Sequence, residues 1–420
     1  MNEIISNTIQ KLYESTPEDI QVALSYKIKD GVVTDEICIG FRVTKKKQFS
    51  ELLPEEILPS ELEIDGVIFN TDVVEVGSIE QLSCVEPIGV NCDDTICNSC
   101  FNWLSQPVEN KQRIRPVVGG LSITSQNKIG FVGTLGLLVV DRETNCLLGL
   151  TNNHVVVKNS SISSKRSVNF EIQNELNNFV YQNGETPNEI VSNSNYLKIG
   201  QVLKYVPLNN TEYNQVDGAL FSINSDISST ETSSNILGLT GQSSFLTFAS
   251  THEIDNLLSI NPPVKSSGRT TGIKQGDCGL RITSVSLNTS VRYHWGVSGG
   301  TSISRSVPFN RLIEFTRNNI NCKYPVAAGD SGSVLIAELN GINKVIGLVF
   351  AGSSNGLIGV ACRIDDVVSQ LNIDHWTGQT VNYVNSISTK TVQGLSSLLN
   401  ISCGNQTFWQ IGTTSVDNPC

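Results

Sequence analysis

The amino-acid sequence predicts a mainly β protein, and three observations carry that expectation. Its apolar residues come in short runs of the length of a typical strand, about five or six residues. Turn signals such as Asn340-Gly341 and Asn355-Gly356 separate some of these runs. The 34 glycines and 13 prolines among 420 residues are ordinary numbers for a globular chain, so a collagen-like or proline-rich disordered chain is excluded.

Residues 1–78 are predicted to form a small α+β domain at the N-terminus. An amphipathic pattern over residues 1–15 indicates a short helix, and a charged stretch from Lys45 to Leu62 indicates a second one. Asp30-Gly31 is a hairpin signal between the first two predicted strands. Apolar runs predict strands around Val22–Ile28, Ile37–Val43, Val67–Phe69 and Val73–Val76.

The remainder of the chain divides into three predicted segments. Residues 79–115 are a cysteine-containing insertion or linker, residues 116–376 form a β-rich domain, and residues 377–420 are a polar C-terminal extension to which we assign no regular structure. A short helix follows the last strand of the β-rich domain, with Asp365 as its predicted N-cap. Strands are predicted at Phe131–Val140, Cys146–Leu150, Asp217–Ile223, Ser333–Glu338, Val345–Ala351 and Gly359–Ile364.

The composition argues against several classes of partner. The chain has 40 acidic and 29 basic residues and a net charge of −11, whereas nucleic acids and anionic membranes are bound by basic surfaces. No segment approaches the ~18 consecutive apolar residues of a membrane helix and no secretory signal is visible, so we expect a cytoplasmic protein with no membrane partner. The eleven cysteines are an odd number, and in a reducing compartment we expect most of them to be thiols.

Two motifs contain residues suited to nucleophilic catalysis. His154 follows an apolar strand, and Ser331 lies in the run Gly329-Asp330-Ser331-Gly332. A serine hydroxyl becomes a nucleophile when a neighbouring base takes its proton, and adjacent glycines let the N–H groups of Gly329 and Ser331 converge as an oxyanion hole. Taken alone, the histidine is a core or turn residue and the glycine-rich run is a tight turn. Their occurrence together favours catalysis.

A third group is needed to orient the imidazole, and Asp217 is the residue that we predict. It opens the predicted strand Asp217–Ile223, so we expect its carboxylate at a strand end that faces a cleft. Most other acids between the histidine and the serine lie in polar, loop-like sequence, where a solvated side chain is expected. The alternative for Asp217 is a plain turn aspartate.

The order His154, Asp217, Ser331 with the Gly-Asp-Ser-Gly run resembles the trypsin/chymotrypsin-like serine proteases. This resemblance implies a chymotrypsin-like double β-barrel, here preceded by the small α+β domain, with the active site in the cleft between the barrels. Ser267-Gly268-Arg269-Thr270-Thr271-Gly272 is similar to a segment of secreted bacterial proteases. Over residues 18–371 the chain most resembles the intracellular NARROW LEAF 1-like branch of plants and bacteria.

The same resemblance implies roles for individual residues. His154 is the general base, Asp217 orients it and Ser331 attacks the scissile carbonyl. Asp330 is implied to form an ion pair with Arg269 that holds the oxyanion loop without an activating cut, and the alternative for Arg269 is a surface arginine in a turn. The residues implied to line the specificity pocket are Phe350, Ala351, Gly352, Gly359, Val360 and Ala361. Because none of them is acidic, we expect a small or apolar side chain in that pocket.

Two groups of cysteines are distinguished by their surroundings. The first group has a spacing that suits zinc, or even an iron–sulfur cluster, and comprises Cys84, Cys92, Cys97 and Cys100. We expect no cofactor, with thiols as the main interpretation of this group and structural zinc as the alternative. The second group lies in or near predicted strands, is expected to be small buried thiols, and comprises Cys146, Cys278, Cys322 and Cys362.

These observations predict a serine endopeptidase that cleaves protein or peptide substrates through an acyl-enzyme. The first alternative is a catalytically weak scaffold or binding protein on a protease fold, and the second is a thiol–metal redox protein that depends wholly on the first cysteine group. Neither nucleic acid nor membrane is an expected partner, and a homo-oligomer is left open.

Overall fold

Strands dominate the computed structural model of the protein, so the predicted mainly β class is confirmed. The predicted double barrel and the predicted domain boundaries stay predictions. The structure describes residues 3–17, 20–29, 32–82, 84–85, 109–126, 131–157, 178–182, 198–227, 229–239, 246–298, 301–322, 324–392, 395–404 and 406–411.

The strands and helices are numbered in chain order. The strands are β1 (Ile20–Lys29), β2 (Val32–Val43), β3 (Glu61–Ile64), β4 (Val67–Glu75), β5 (Ile79–Gln81), β6 (Cys84–Val85), β7 (Val117–Gly119), β8 (Ser122–Ser125), β9 (Phe131–Thr134), β10 (Leu137–Asp141), β11 (Leu147–Thr151), β12 (Phe179–Gln182), β13 (Lys198–Tyr205), β14 (Ala219–Ser222), β15 (Thr232–Ile236), β16 (Thr247–Phe248), β17 (Val264–Gly268), β18 (Gly272–Lys274), β19 (Leu280–Ser298), β20 (Thr301–Arg317), β21 (Val334–Leu339), β22 (Ile342–Ser353), β23 (Gly359–Arg363), β24 (Ile373–His375), β25 (Val384–Val392), β26 (Leu395–Cys403) and β27 (Gln406–Ile411). The helices are α1 (Glu3–Ser15), α2 (Asn153–Val156), α3 (Thr251–Asp255), α4 (Leu257–Ile260) and α5 (Ile364–Leu371).

A thirteen-stranded sheet joins the N-terminal strands to the strands around Ser331. Its order is β18-β17-β21-β22-β23-β20-β19-β1-β2-β4-β3, and β5 pairs with both β19 and β22. The junction is an antiparallel pairing of β1 with β19, in which Val22 lies opposite Asn288. The N-terminal strands therefore continue the sheet on which the second half of the chain is built.

The strands on either side of His154 and Asp217 belong to a nine-stranded sheet. Its order is β24-β10-β11-β14-β13-β12-β8-β9-β6. Buried side chains such as Ile123, Leu147 and Phe221 pack into one hydrophobic cluster on this sheet. A larger cluster, with Leu312 and Phe350 among its members, packs on the thirteen-stranded sheet. The candidate catalytic residues thus come from strands of two different sheets.

Three local predictions are wrong. The charged stretch from Lys45 to Leu62 holds two short 3-10 turns and the strand β3 rather than a helix, since Pro54 and Pro59 interrupt it. Asp365 is not the N-cap of α5, because its carboxylate accepts hydrogen bonds from the buried guanidinium of Arg363, the residue that does precede the helix. Residues 384–411, to which no structure was assigned, contain β25, β26 and β27.

The long hairpin of β19 and β20 was not predicted, although it is central to the thirteen-stranded sheet. Each predicted strand of the β-rich domain overlaps an observed one, and Phe131–Val140 is divided into β9 and β10. A further hairpin, β3–β4, turns at Asp65-Gly66, where both residues have positive φ. The predicted turn at Asp30-Gly31 lies outside the described residues.

Disulfides overturn part of the cysteine prediction. Cys278 is bonded to Cys322 and Cys146 to Cys403, so three of the four cysteines expected to be buried thiols are in disulfides. Cys362, the fourth, is a buried thiol as expected. Since stable disulfides form in oxidising surroundings, these bonds remove the ground on which the cysteine count favoured a reducing compartment.

A buried ion pair connects the N-terminal strands with β20. The Arg42 guanidinium donates to both carboxylate oxygens of Glu314 at 2.9 Å, and neither side chain is exposed. Ser25 Oγ accepts from Arg42 at 3.0 Å and Thr283 Oγ1 donates to Glu314 at 2.7 Å. A bidentate pair of this kind is both strong and geometrically specific, so it fixes β2 against β20.

Among the described helices none is long and apolar enough to span a membrane.

Candidate active site

The nine-stranded sheet brings His154 and Asp217 to the same end of two neighbouring strands, β11 and β14. Thr151, the last residue of β11, lies opposite Ala219, the first residue of β14. His154 lies in α2, just after β11, and Asp217 lies two residues before β14. The antiparallel pairing of these two strands therefore places both side chains at the same end of the sheet.

Three side chains form a continuous chain of hydrogen bonds. The Nδ1 atom of His154 lies 2.6 Å from Asp217 Oδ2, and the backbone N–H of His154 donates to Asp217 Oδ1 at 3.2 Å. On the other side of the ring, Nε2 lies 2.8 Å from Ser331 Oγ. Because the carboxylate only accepts, Nδ1 carries the proton and Nε2 presents its lone pair to the serine.

Asp217 is fully buried and still holds its charge. Burial opposes ionisation, but the electrostatic interaction with the His154 imidazole and hydrogen bonds from His154 and Tyr293 outweigh it, so the pKa of Asp217 lies below its usual value. Tyr293 Oη donates to Asp217 Oδ2 at 2.7 Å. The side chain of Asn152 donates to the Asp217 carbonyl at 2.6 Å, which fixes the backbone as well.

Tyr293 is a functional candidate that the sequence did not reveal. It is a buried residue of β19, and its ring lies edge-on to the His154 ring with centroids 5.8 Å apart. Burial and the Asp217 charge raise the pKa of its hydroxyl well above the usual value, so the hydroxyl keeps the proton that it donates to Asp217. The sequence offers no motif around it, because its neighbours are ordinary strand residues.

The loop that carries Ser331 depends on two glycines with positive φ. Gly329 has φ +97° and Gly332 has φ +95°, and a Cβ at Gly332 would collide with the carbonyl of Thr134. Thr134 also binds the loop directly: its N–H donates to the Ser331 carbonyl at 2.7 Å and its hydroxyl to the Gly329 carbonyl at 2.9 Å. Thr134, the last residue of β9, thereby connects the serine loop to the nine-stranded sheet.

The Asp330 carboxylate is held by backbone N–H groups, two of which belong to the segment 267–272 that the sequence predicts to hold it. Its carboxylate accepts from the N–H groups of Thr270 and Thr271 at 2.8 and 3.0 Å, and from that of Ala327 at 2.9 Å. The Nε atom of Arg269 donates to Ser122 Oγ at 3.2 Å. Burial raises the pKa of Asp330 against the backbone hydrogen bonds, and the ion pair of Asp330 with Arg269 stays a prediction.

The site is closed by a segment of the same chain. His154 is 1% exposed, and both Asp217 and Ser331 are 0% exposed. The N–H of Gly329, one of the two predicted oxyanion-hole donors, donates to the carbonyl of Leu82 at 2.6 Å. The N–H of Leu82 in turn donates to the Phe350 carbonyl at 3.1 Å, and Ser331 Oγ lies 3.2 Å from that same oxygen.

All six residues predicted to line the specificity pocket are buried. Gly352 lies beside the Leu82 side chain, since a Cβ there would be 3.2 Å from Leu82 Cδ2 and 3.0 Å from Val326 Cγ1. Gly352 and Gly359 are opposite each other on β22 and β23. The surroundings of Leu82 are therefore apolar, and none of the six residues carries a charge.

The predicted zinc ligands are largely outside the described residues. Cys92, Cys97 and Cys100 lie there entirely, while Cys84 begins β6, which pairs with β9. Elsewhere, in the part of the chain that the structure describes, no cluster of three or more potential metal ligands occurs. Zinc at the first cysteine group stays a prediction.

Comparisons with known proteins rest on structure. No protein-family model matches the chain, and no curated protein matches it by sequence. Among the solved structures that match is one described as a glutamic acid-specific serine protease that uses a histidine triad in substrate binding. It is 15% identical, the match covers 62% of this chain and 100% of that one, and the TM-score is 0.36.

Proposed function

We propose that the protein is a serine endopeptidase, a trypsin-like hydrolase with His154, Asp217 and Ser331 as its triad. The observation that carries this proposal is the hydrogen-bonded chain from Asp217 through His154 to Ser331, with distances of 2.6 and 2.8 Å. These are the contacts that a base needs to take a serine proton and that an orienting carboxylate needs to hold the base.

The proposed reaction follows from the proton positions. His154 Nε2 takes the hydroxyl proton as Ser331 Oγ attacks the scissile carbonyl carbon. The N–H groups of Gly329 and Ser331 stabilise the oxyanion, and Asp217 stabilises the imidazolium that forms. His154 then gives the proton to the leaving amine, and water repeats the sequence on the acyl-enzyme. No cofactor takes part.

We propose further that the chain belongs to the trypsin/chymotrypsin-like proteases through the NARROW LEAF 1-like branch. In this proposal residues 116–376 form a double β-barrel and residues 1–78 a small α+β domain. Protein or peptide substrates are the proposed partners, without nucleic acid or membrane, and a homo-oligomer is left open. A cytoplasmic location stays a prediction, and the two disulfides count against it.

Covalent labelling of Ser331 by a fluorophosphonate tests the proposed function. Because Ser331 is buried beneath Leu82, the reaction is run on the wild-type chain and on Leu82→Asp, in which a charge replaces the apolar contact at Gly352. We expect labelling of Ser331 in at least the Leu82→Asp chain, and its loss when His154→Ala is added to that chain. Ser331→Ala in the same background is the control for labelling at other residues.

A catalytically weak scaffold or binding protein is the second candidate, and the complete burial of Ser331 is the observation that favours it. If neither chain is labelled while both remain folded by circular dichroism, the endopeptidase proposal is wrong and the scaffold explanation stands.

A further inference from the structure

Residues 79–82 lie in the candidate active site as an added strand. The strand β5 runs antiparallel to the end of β22, with Ile79, Glu80 and Gln81 opposite Ser353, Gly352 and Ala351. Leu82 extends the pairing by one residue through its N–H bond to Phe350. An extended peptide that adds a strand to a sheet edge is one of the general ways in which proteins bind peptides.

Two independent contacts bring the main chain of Leu82 to Ser331. Its N–H donates to Phe350 O, which also lies 3.2 Å from Ser331 Oγ. The carbonyl oxygen of Leu82 accepts from the N–H of Gly329 at 2.6 Å, and Gly329 lies two residues before Ser331. A donor in an oxyanion hole points at the carbonyl that is to be attacked. The carbonyl that accepts from the Gly329 N–H is that of Leu82.

The side chain of Leu82 fits the neighbouring surface. It is 8% exposed and contacts the space beside Gly352 and Val326, in the same hydrophobic cluster as Ile358. Burial of an apolar side chain against an apolar surface stabilises such a contact. Leu82 therefore occupies the place of the residue that precedes a scissile bond, in an apolar pocket of the kind predicted.

Glu80 holds the strand from its other side. It is in register with Arg292 of β19, and its carboxylate lies 3.8 Å from both Arg292 Nη1 and His294 Nε2. Ser78 Oγ donates to the same carboxylate at 2.7 Å. The strand is thus fixed by backbone pairing to β22, by an apolar contact at Leu82 and by charge at Glu80.

We propose that residues 79–82 are a built-in substrate and that the protein cleaves its own peptide bond after Leu82. This inference rests on the proposed endopeptidase function. Ser331 Oγ forms an ester with the Leu82 carbonyl carbon, the C–N bond to residue 83 breaks, and His154 passes the serine proton to the released amine. Water then hydrolyses the ester, so the products are a Leu82 carboxylate, a new amino terminus at residue 83 and the free serine.

The fold keeps the two products together. The fragment that ends at Leu82 contains β1, which pairs with β19, and Arg42, whose guanidinium binds Glu314. After the cut, the new carboxyl-terminal strand stays in the cleft until it is displaced. The cleaved protein therefore has the mass of the full chain plus one water in native conditions and separates into two chains only on denaturation.

The experiment is intact-mass analysis and amino-terminal sequencing of the purified full chain, in parallel with fluorophosphonate labelling. We expect fragments 1–82 and 83–420 from the wild-type chain, a rate constant independent of protein concentration, and an uncut chain for Ser331→Ala. Leu82→Met keeps an apolar side chain of similar volume and is cut at about the wild-type rate. Leu82→Asp is cut at least about tenfold more slowly, which corresponds to about 1.4 kcal/mol.

The possible outcomes distinguish failure of the self-cleavage inference from failure of the proposed endopeptidase function. An uncut wild-type chain that is nevertheless labelled at Ser331, or a cut at another bond, overturns the inference and leaves the endopeptidase in place. An uncut chain that is labelled in no variant overturns both. Because the wild-type result needs no substitution, the test does not depend on the folding of Leu82→Asp.

Discussion

Two networks of buried charged side chains differ in how they end. In the first, Asp217 and His154 are followed by Ser331, a hydroxyl whose proton the histidine base is positioned to take. In the second, Arg42 binds Glu314, and Ser25 and Thr283 form one further hydrogen bond each to this pair. Burial is complete in both, but the first network ends at a nucleophile and the second closes on itself. The first is suited to chemistry and the second to holding two segments together.

The difference between the two networks indicates when a buried charge has a functional role. A buried ion pair is expensive to desolvate, so its presence alone does not indicate catalysis. In the Asp217 network a histidine, which can change its charge near neutral pH, stands between an acid and a hydroxyl. In the Arg42 network the guanidinium stays charged, so the pair has no proton to transfer.

The largest expected effect comes from removing the end of the first network. Ser331→Ala leaves His154 and Asp217 without a nucleophile to activate, and we expect hydrolysis of a peptide with the sequence of residues 79–86, which spans the bond after Leu82, to fall by about 10⁶-fold. Peptide cleavage measured by mass spectrometry checks this. Retention of a tenth of the activity by Ser331→Ala would mean that another residue is the nucleophile.

The next largest effect follows from the acid of the same network. Asp217→Asn keeps the size of the side chain but offers an N–H where His154 needs an acceptor, so the wrong tautomer is favoured and we expect kcat to fall by about 10⁴-fold. Steady-state kinetics on the same peptide measure the loss. Asp365→Asn is the control, because it changes a partly buried acid that lies outside the site. Equal losses from Asp217→Asn and Asp365→Asn would contradict a specific role for Asp217.

The sequence predicted the first network because its residues lie in recognisable surroundings. Ser331 is flanked by glycines, and Asp217 opens a strand that pairs with the strand before His154. Arg42 and Tyr293 could not be predicted in the same way, since each lies in an ordinary strand and its partner is brought near only by the pairing of distant strands.

The same reasoning explains which parts of the fold were predicted. Short apolar strands with tight turns were found, whereas the long β19–β20 hairpin was missed, and the charged segment before β3 was taken for a helix. Leu82 was missed as well, because nothing in the sequence around it distinguishes a strand in the active site from any other strand. Contacts between segments far apart in the chain decide all three cases.

The second network is expected to affect stability rather than catalysis. Arg42→Met leaves the Glu314 carboxylate buried without its guanidinium, and we expect the free energy of unfolding to fall by about 3–5 kcal/mol. Lys27→Met is the matched control, because Lys27 forms an exposed pair with Glu36 at 3.3 Å, and such pairs contribute less than about 1 kcal/mol. Urea unfolding measures both. Similar losses in the two variants would show that the Arg42 pair has no special role.

The smallest effect is expected from Tyr293→Phe, which removes one hydrogen bond to the Asp217 carboxylate. A hydrogen bond to a charged group contributes about 1.5–3 kcal/mol, so kcat/KM should fall by about tenfold to a hundredfold. The folded-state pKa of Asp217 lies below its unfolded value, so its stabilising contribution is present above the unfolded pKa and is lost as pH falls through the folded pKa. Without Tyr293 Oη that folded pKa rises, and acid unfolding should begin at higher pH. Unfolding followed by circular dichroism tests this, with Tyr213→Phe at an exposed tyrosine as control. An unchanged midpoint in Tyr293→Phe would show that Tyr293 does not affect the ionisation of Asp217.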